Sequence, residues 1–130
     1  MRSNILDVHM EVPDDVLPLL EEDEKVLFGI KQKKYRPAIN IESVTITNKR
    51  VILRRPSMMR MKKSYADFSY SDITNIILDK GLLRSTIMLN LKMDGNDLVI
   101  ENIPNDMAQQ AFRLIREGID EARRTAADAT

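Results

Sequence analysis

The chain has 130 residues, no net charge at neutral pH, 43% hydrophobic and 31% charged residues, and no cysteine. That length suits one domain with a real apolar core and is short for two, and the composition is that of neither a disordered nor a fibrous chain. Disulfides and thiol chemistry are excluded, metal sites lack their best ligands, and no run of about 18 apolar residues exists to cross a bilayer as a helix.

In chain order, residues 14–23 predict a short helical turn. Asp14 or Asp15 serves as its cap before Val16, Leu17, Leu19 and Leu20, and Pro18 limits its length. From Lys25 the period becomes two: Val26, Phe28 and Ile30 face one way, which predicts a first strand ending near Tyr35 or Pro37. Residues 43–55 read as two strands about a corner at Asn48, because asparagine tolerates the left-handed backbone that a tight hairpin needs. Pro56 ends the second of these and opens a loop over 57–62. Tyr65, Ala66, Phe68 and Tyr70 mark a fourth strand, and Ile73, Ile76, Ile77 and Leu78 a fifth, broken at Gly81. Residues 84–93 alternate most clearly, with Ile87, Leu89, Leu91 and Met93 against Thr86, Met88, Asn90 and Lys92. Asp94-Gly95-Asn96-Asp97 is a hairpin turn, and residues 98–103 return as a seventh strand stopped by Pro104. Asn105 then caps a helix whose apolar residues Met107, Ala111, Leu114, Ile115, Gly118, Ile119 and Ala122 recur at spacings of three and four.

Seven short strands and one amphipathic helix make an α+β pattern. A small seven-stranded antiparallel sheet must curl into a barrel or bend into a sandwich, and the helix stripe must cover something, so the expected architecture is a barrel or bent sandwich capped by the C-terminal helix. The expected division is a flexible acidic segment over 1–13, one folded domain over 14–124, and a frayed tail over 125–130.

The zero balance hides a separation of charge. Residues 1–24 carry eight acids against Arg2 alone, a net of −7; residues 25–63 carry twelve bases against Glu42 alone, a net of +11; residues 64–130 carry −4. Blocked charge matters because a local field, not the total, attracts a charged partner. The acidic segment is therefore expected to lie against the basic block, within one chain or between subunits.

The residues Leu20-Glu21-Glu22-Asp23-Glu24-Lys25-Val26-Leu27 and Val44-Thr45-Ile46-Thr47-Asn48-Lys49-Arg50-Val51-Ile52-Leu53 are similar to bacterial and archaeal pleckstrin-homology-like (PH-like) domains, which show an acidic E-x-V lead-in and a T-N-x-R-[LV]-I hairpin. Tyr70-Ser71-Asp72-Ile73-Thr74-Asn75-Ile76 resembles their Y-x-D-I-x-x-I segment, and Gly81 and Ser85-Thr86-Ile87 also fit. The resemblance covers roughly residues 14–120, and the asparagine-arginine hairpin is its most specific piece. It implies a seven-stranded barrel capped by a C-terminal helix. The chain has no tryptophan, whereas the eukaryotic PH domain carries one in that helix, and this weakens the transfer of eukaryotic ligand chemistry.

Two basic loops are the candidate ligand sites. Lys31, Lys33, Lys34 and Arg36 follow the first strand; in eukaryotic members of the fold, phosphoinositide headgroups bind near this loop, and lysine charge with the arginine fork suits phosphate. The more ordinary reading makes these lysines the solvent face of an edge strand. Met58, Met59 and Met61 interleave with Arg60, Lys62 and Lys63 in a second loop. Thioethers and cations together suit an anionic lipid surface, and equally a self-association surface or a partner groove. About five bases at about 1 kcal/mol each bind anionic lipid only weakly unless several copies act together.

The basic residues Lys49, Arg50, Arg54 and Arg55 lie near Tyr65, Phe68 and Tyr70 in sequence, yet aromatics make up only 5% of the chain and no recognition helix or ribonucleoprotein motif is present, so nucleic acid is not an expected partner. His9 is the single histidine, the paired acids lack EF-hand spacing, and the four glycines are isolated, so neither a catalytic residue nor a metal or cofactor site is indicated. The expectation is a cytoplasmic, non-catalytic binding module, working through protein contacts and self-assembling. The alternative is peripheral binding to anionic phospholipid at the inner membrane face.

Overall fold

The computed structural model describes residues 12–31, 43–56, 63–92 and 97–128. Seven strands, β1 (Val26–Lys31), β2 (Ser43–Thr47), β3 (Arg50–Pro56), β4 (Lys63–Ser69), β5 (Ile73–Lys80), β6 (Arg84–Leu91) and β7 (Asp97–Pro104), precede one helix, α1 (Asn105–Asp128). The strands hydrogen-bond in chain order into a four-stranded sheet, β1 to β4, and a three-stranded sheet, β5 to β7, so they do not close into one hydrogen-bonded barrel. The chain divides into two compact units, which meet in sequence after Asp67.

In the first unit, β1 pairs antiparallel with β2 and β2 with β3. Phe28, Ile30, Val44, Ile46, Val51 and Leu53 are buried, as their alternation requires. The pairing steps from Val26 opposite Thr47 to Phe28 opposite Ile46, which leaves Leu27 as an extra residue on β1, half-exposed. β2 departs from an ordinary half-wet strand: Ser43, Thr45 and Thr47 are as buried as Val44 and Ile46. Something therefore covers its polar face.

Residues 12–24 meet this face at Thr47, Arg50 and Arg54, through Glu24, Leu19 and Asp15. Only Leu17–Leu19 is helical, a single 3-10 turn whose N-cap is Val16 with no side-chain capping bond. The expected cap at Asp14 or Asp15 is thus not formed; a turn this short leaves few N–H groups to cap, and Asp15 has other partners, described below. Asn48 does sit at the β2–β3 corner, but without positive φ. The corner is held instead by Thr47, whose Oγ1 accepts from the Lys49 and Arg50 N–H groups at 3.0 Å each.

In the second unit, Ile76, Leu89 and Leu98 line up across the sheet, as do Leu78, Ile87 and Ile100, giving it an apolar, mostly buried face. Asn102 has φ 64°, and the register skips there from Ile100 opposite Ile87 to Ile103 opposite Ser85. This bulge resets the phase so that Ile103 is buried, a break in period two.

Helix α1 buries Ala108, Ala111, Ile115 and Ile119. Met107, Leu114, Gly118 and Ala122, expected on the same stripe, are only partly covered, and Ala108 takes its place in the core. The helix passes so close to Tyr70 that a Cβ on Gly118 would stand 2.6 Å from the ring. Tyr70, expected in a strand, belongs to a 3-10 turn, Tyr70–Asp72, and is buried. The helix also continues through residues 125–128, expected as part of a frayed tail, where alanines favour it though every side chain is exposed. No described helix is long and apolar enough to cross a membrane.

Candidate functional site

The outer face of β2, β3 and β4 is where blocked charge becomes structure. Antiparallel register puts Arg54 opposite Ser43 and Ile52 opposite Thr45, so Arg50, Ile52 and Arg54 share a face with the buried hydroxyl row. Arg50 directs Nε and one terminal nitrogen to the two oxygens of Glu24, both at 2.9 Å. It also donates to Asp67 Oδ2 and to the Leu19 carbonyl, again at 2.9 Å. Thr47 Oγ1 donates to Glu24 Oε2 at 2.6 Å, and the Glu21 N–H donates to Glu24 Oε1. Glu24 is wholly buried, and Arg50 is 18% exposed.

Burial by itself would raise the Glu24 carboxyl, but hydrogen bonds from Arg50, Thr47 and the Glu21 N–H, with the Arg50 charge, hold it down at about 2. The same contacts raise Arg50, through Glu24 first and Asp67 second. Lys49 bridges Glu21 and Asp23 at 2.8 and 2.7 Å, which raises the lysine and lowers Asp23. At the other end of the face, Asp15 accepts from the Tyr65 hydroxyl and from Arg54 Nε at 3.0 Å. Those bonds, the tyrosine's foremost, lower Asp15, and the bond to Asp15 raises Tyr65. Within a single chain, Asp15, Glu21, Asp23 and Glu24 of the acidic segment thus lie against Lys49, Arg50 and Arg54 of the basic block. Asn48 completes the lock, accepting from the Lys25 N–H at 2.7 Å while its own N–H donates to the Lys25 carbonyl.

The chemistry of this face is therefore internal. The guanidinium of Arg50 has no fork left for a phosphate, because carboxylates and a carbonyl occupy its donors. Tyr70 is buried and offers no ring face on which a base could stack.

Of the residues expected to bind an anionic ligand, Lys31 ends β1 and is exposed. Lys63 begins β4, but its side chain lies outside the described residues, as do Lys33, Lys34, Arg36, Met58, Met59, Arg60, Met61 and Lys62. His9 is also outside them. Among the described residues no three metal-ligating side chains converge. A groove of about 420 Å³ runs along α1 past Asp106, Gln109, Gln110, Arg113 and Leu114, without a nucleophile or a buried acid among them.

Two surfaces were not singled out from the sequence. The register aligns Ile77, Met88 and Val99 across β5, β6 and β7 on the face opposite the buried rows, with Ile77 38% and Val99 39% exposed. Asn75, Asn90 and Asp97 border this row on one side, and Asp79 and Thr86 on the other. The second surface is the β5–β6 turn, where Leu82 is 94% and Leu83 76% exposed. Its signal in the sequence was two adjacent leucines directly after Gly81, outside any alternation. The signal for the row was Met88 on the nominally polar side of β6.

Two sheets of four and three antiparallel strands followed by a C-terminal helix define a PH-like fold. Two crystal structures share it. A DUF1696-family protein with a pleckstrin-homology domain from Shewanella loihica PV-4 aligns with a TM-score of 0.60 at 21% identity, over 85% of this chain and 96% of that one. A pleckstrin homology domain from Shewanella amazonensis SB2B aligns with a TM-score of 0.59 at 18% identity, over 88% and 98%. The bacterial PH domain family model matches residues 20–117, and the chain belongs to that family. An uncharacterized protein of Archaeoglobus fulgidus is 24% identical over 110 residues; the match takes in 85% of this chain and 56% of that relative's length.

Proposed function

We propose that the chain is a non-catalytic binding module acting through protein–protein contacts, including contacts between copies of itself. The row of Ile77, Met88 and Val99 carries this reading. It is an apolar strip bordered by amide, hydroxyl and carboxylate side chains, the arrangement of an interface with an apolar centre and a polar rim. Arg50 and Arg54 of β3, by contrast, are matched by carboxylates of the same chain and offer little to an anionic ligand. Membership of a binding-domain fold is consistent with this reading, but the row itself carries it.

The test is light scattering and sedimentation across a concentration series, for the native chain and for Val99→Glu. The native chain is expected to gain mass with concentration, and the variant to remain a monomer with an unchanged circular dichroism spectrum. A native chain that stays monomeric at high micromolar concentration, with no partner recovered by cross-linking in cells, overturns the proposal.

A further inference from the structure

The β5–β6 turn combines three properties that the fold does not need. Its leucines are the two most exposed large apolar side chains among the described residues. A loop that merely joins two strands is normally polar, and an apolar pair held in water is unfavourable unless something receives it.

Second, the turn is rigidly held. The Gly81 N–H donates to the Arg84 carbonyl at 2.9 Å, and a Cβ on Gly81 would meet that oxygen at 2.5 Å, so only glycine fits the closure. Asn105, at the start of α1, donates from Nδ2 to the Gly81 and Leu82 carbonyls at 3.1 and 3.2 Å and from its backbone N–H to the Leu83 carbonyl at 3.3 Å. Its Oδ1 accepts from the buried Ser85 hydroxyl at 2.6 Å. Asn105 is therefore a clamp on the turn; the capping role expected of its side chain is replaced by Asp106, whose Oδ1 accepts from the Met107 N–H. The carbonyls of residues 81–84 all have donors from within the protein. Backbone acceptors must be satisfied in this way before a loop can enter a medium that supplies no donors.

Third, Lys80 and Arg84 flank the leucines, both exposed, with Lys80 Nζ reaching Gln109 at 3.4 Å. Asp79 lies one rung further from the turn.

We propose that this turn is an interfacial anchor that seats Leu82 and Leu83 in the surface of a lipid bilayer, with Lys80 and Arg84 at the level of anionic headgroups. A pair of leucines covers far less than the roughly 800 Å² per partner that a stable protein interface buries. A fluid interface needs neither area nor complementary shape. It takes up apolar side chains and rewards neighbouring cations. The anchor uses other residues than the Ile77–Met88–Val99 row and the basic stretches 31–36 and 58–63.

The experiment is co-sedimentation of the full chain with phosphatidylcholine vesicles, with and without phosphatidylglycerol. The native chain is expected to bind both and to prefer the anionic vesicles. Leu82→Glu/Leu83→Glu should lower binding to both by about tenfold or more. Lys80→Gln/Arg84→Gln should remove the preference for the anionic vesicles and leave binding to the neutral ones unchanged. Both pairs are exposed, so circular dichroism should match the native chain. Absence of native binding overturns the anchor. So does unchanged binding of the leucine variant, whether binding is then lost with Lys33→Glu/Lys34→Glu, which assigns it to the basic loop, or the leucine variant instead loses self-association, which makes the turn a protein contact.

Discussion

Glu24→Gln removes one charge from a site where geometry and proton binding predict the same cost. The native carboxylate takes two hydrogen bonds from Arg50, one from Thr47 and one from the Glu21 N–H, and it is wholly buried. Glutamine keeps the shape but offers only one oxygen, and its amide hydrogens oppose the Arg50 or Thr47 donors. Breaking a buried ion pair on one side costs about 3–5 kcal/mol, and the partial exposure of Arg50, with its remaining bonds to Asp67 and the Leu19 carbonyl, favours the lower end. Expressed as proton binding, the same contacts hold the carboxyl at about 2 against a usual 4.5, which carries about 3 kcal/mol of folding free energy at neutral pH. For a chain of this size that is a fall of about 10 °C in Tm.

The sign with pH is fixed by the depressed carboxyl. Above pH 4.5 the group is charged in both states and its full contribution is present. As pH falls, the unfolded carboxyl binds a proton first, and the contribution disappears toward pH 2. Urea unfolding of both proteins at pH 7 and near pH 3 measures this. The gap should be about 3 kcal/mol at pH 7 and less than half of that near pH 3. A gap under about 1 kcal/mol at pH 7, or one that does not shrink on acidification, would show that the latch does not stabilise the fold in the way its geometry indicates.

Gly118→Ala places a methyl 2.6 Å from the Tyr70 ring. The clash should outweigh the alanine's helical gain and cost about 1–2 kcal/mol by thermal melting, part of it recovered by Tyr70→Leu. Asn105→Ala strips the turn of two carbonyl donors and the Ser85 hydroxyl of its acceptor; it should cost about 1–2 kcal/mol, with amide exchange accelerated at residues 81–85 before the rest of the sheet.

The strands were legible because alternation is a strong signal wherever one face is buried, as for Ile87 and Leu89 or Phe28 and Ile30. What escaped were features set by tertiary partners. Asp15 looked like a cap because its sequence neighbours are apolar, yet Arg54 and Tyr65, far along the chain, claim its carboxylate. Asn105 looked like a cap for the same reason and became a clamp. The bulge at Asn102 shows in the sequence only as Ile103 falling out of phase with Leu98 and Ile100. The charge blocks could be counted in the sequence, but not the pairing that joins them, since register decides which cation faces which acid. The Asn48–Arg50 hairpin carried the family resemblance, and its geometry gives the reason: Asn48 ties the corner to Lys25, just before β1, and Arg50 ties β3 to Glu24 and to β4.

The two surfaces of the three-stranded sheet bear on each other. Two leucines and two flanking cations give a membrane anchor of modest strength, and a single copy would leave the bilayer readily. If copies assemble through the Ile77–Met88–Val99 row, each carries its own turn, and the second insertion becomes intramolecular once the first has occurred. Linkage of that kind raises avidity by about 10²-fold or more without any new contact. Val99→Glu should then weaken vesicle binding although Val99 lies away from the turn, and only at protein concentrations where the native chain is assembled. At concentrations where native and variant chains are both monomers, their vesicle binding should coincide. A variant that loses assembly yet binds vesicles like the native chain throughout would separate the two surfaces and leave each turn acting alone.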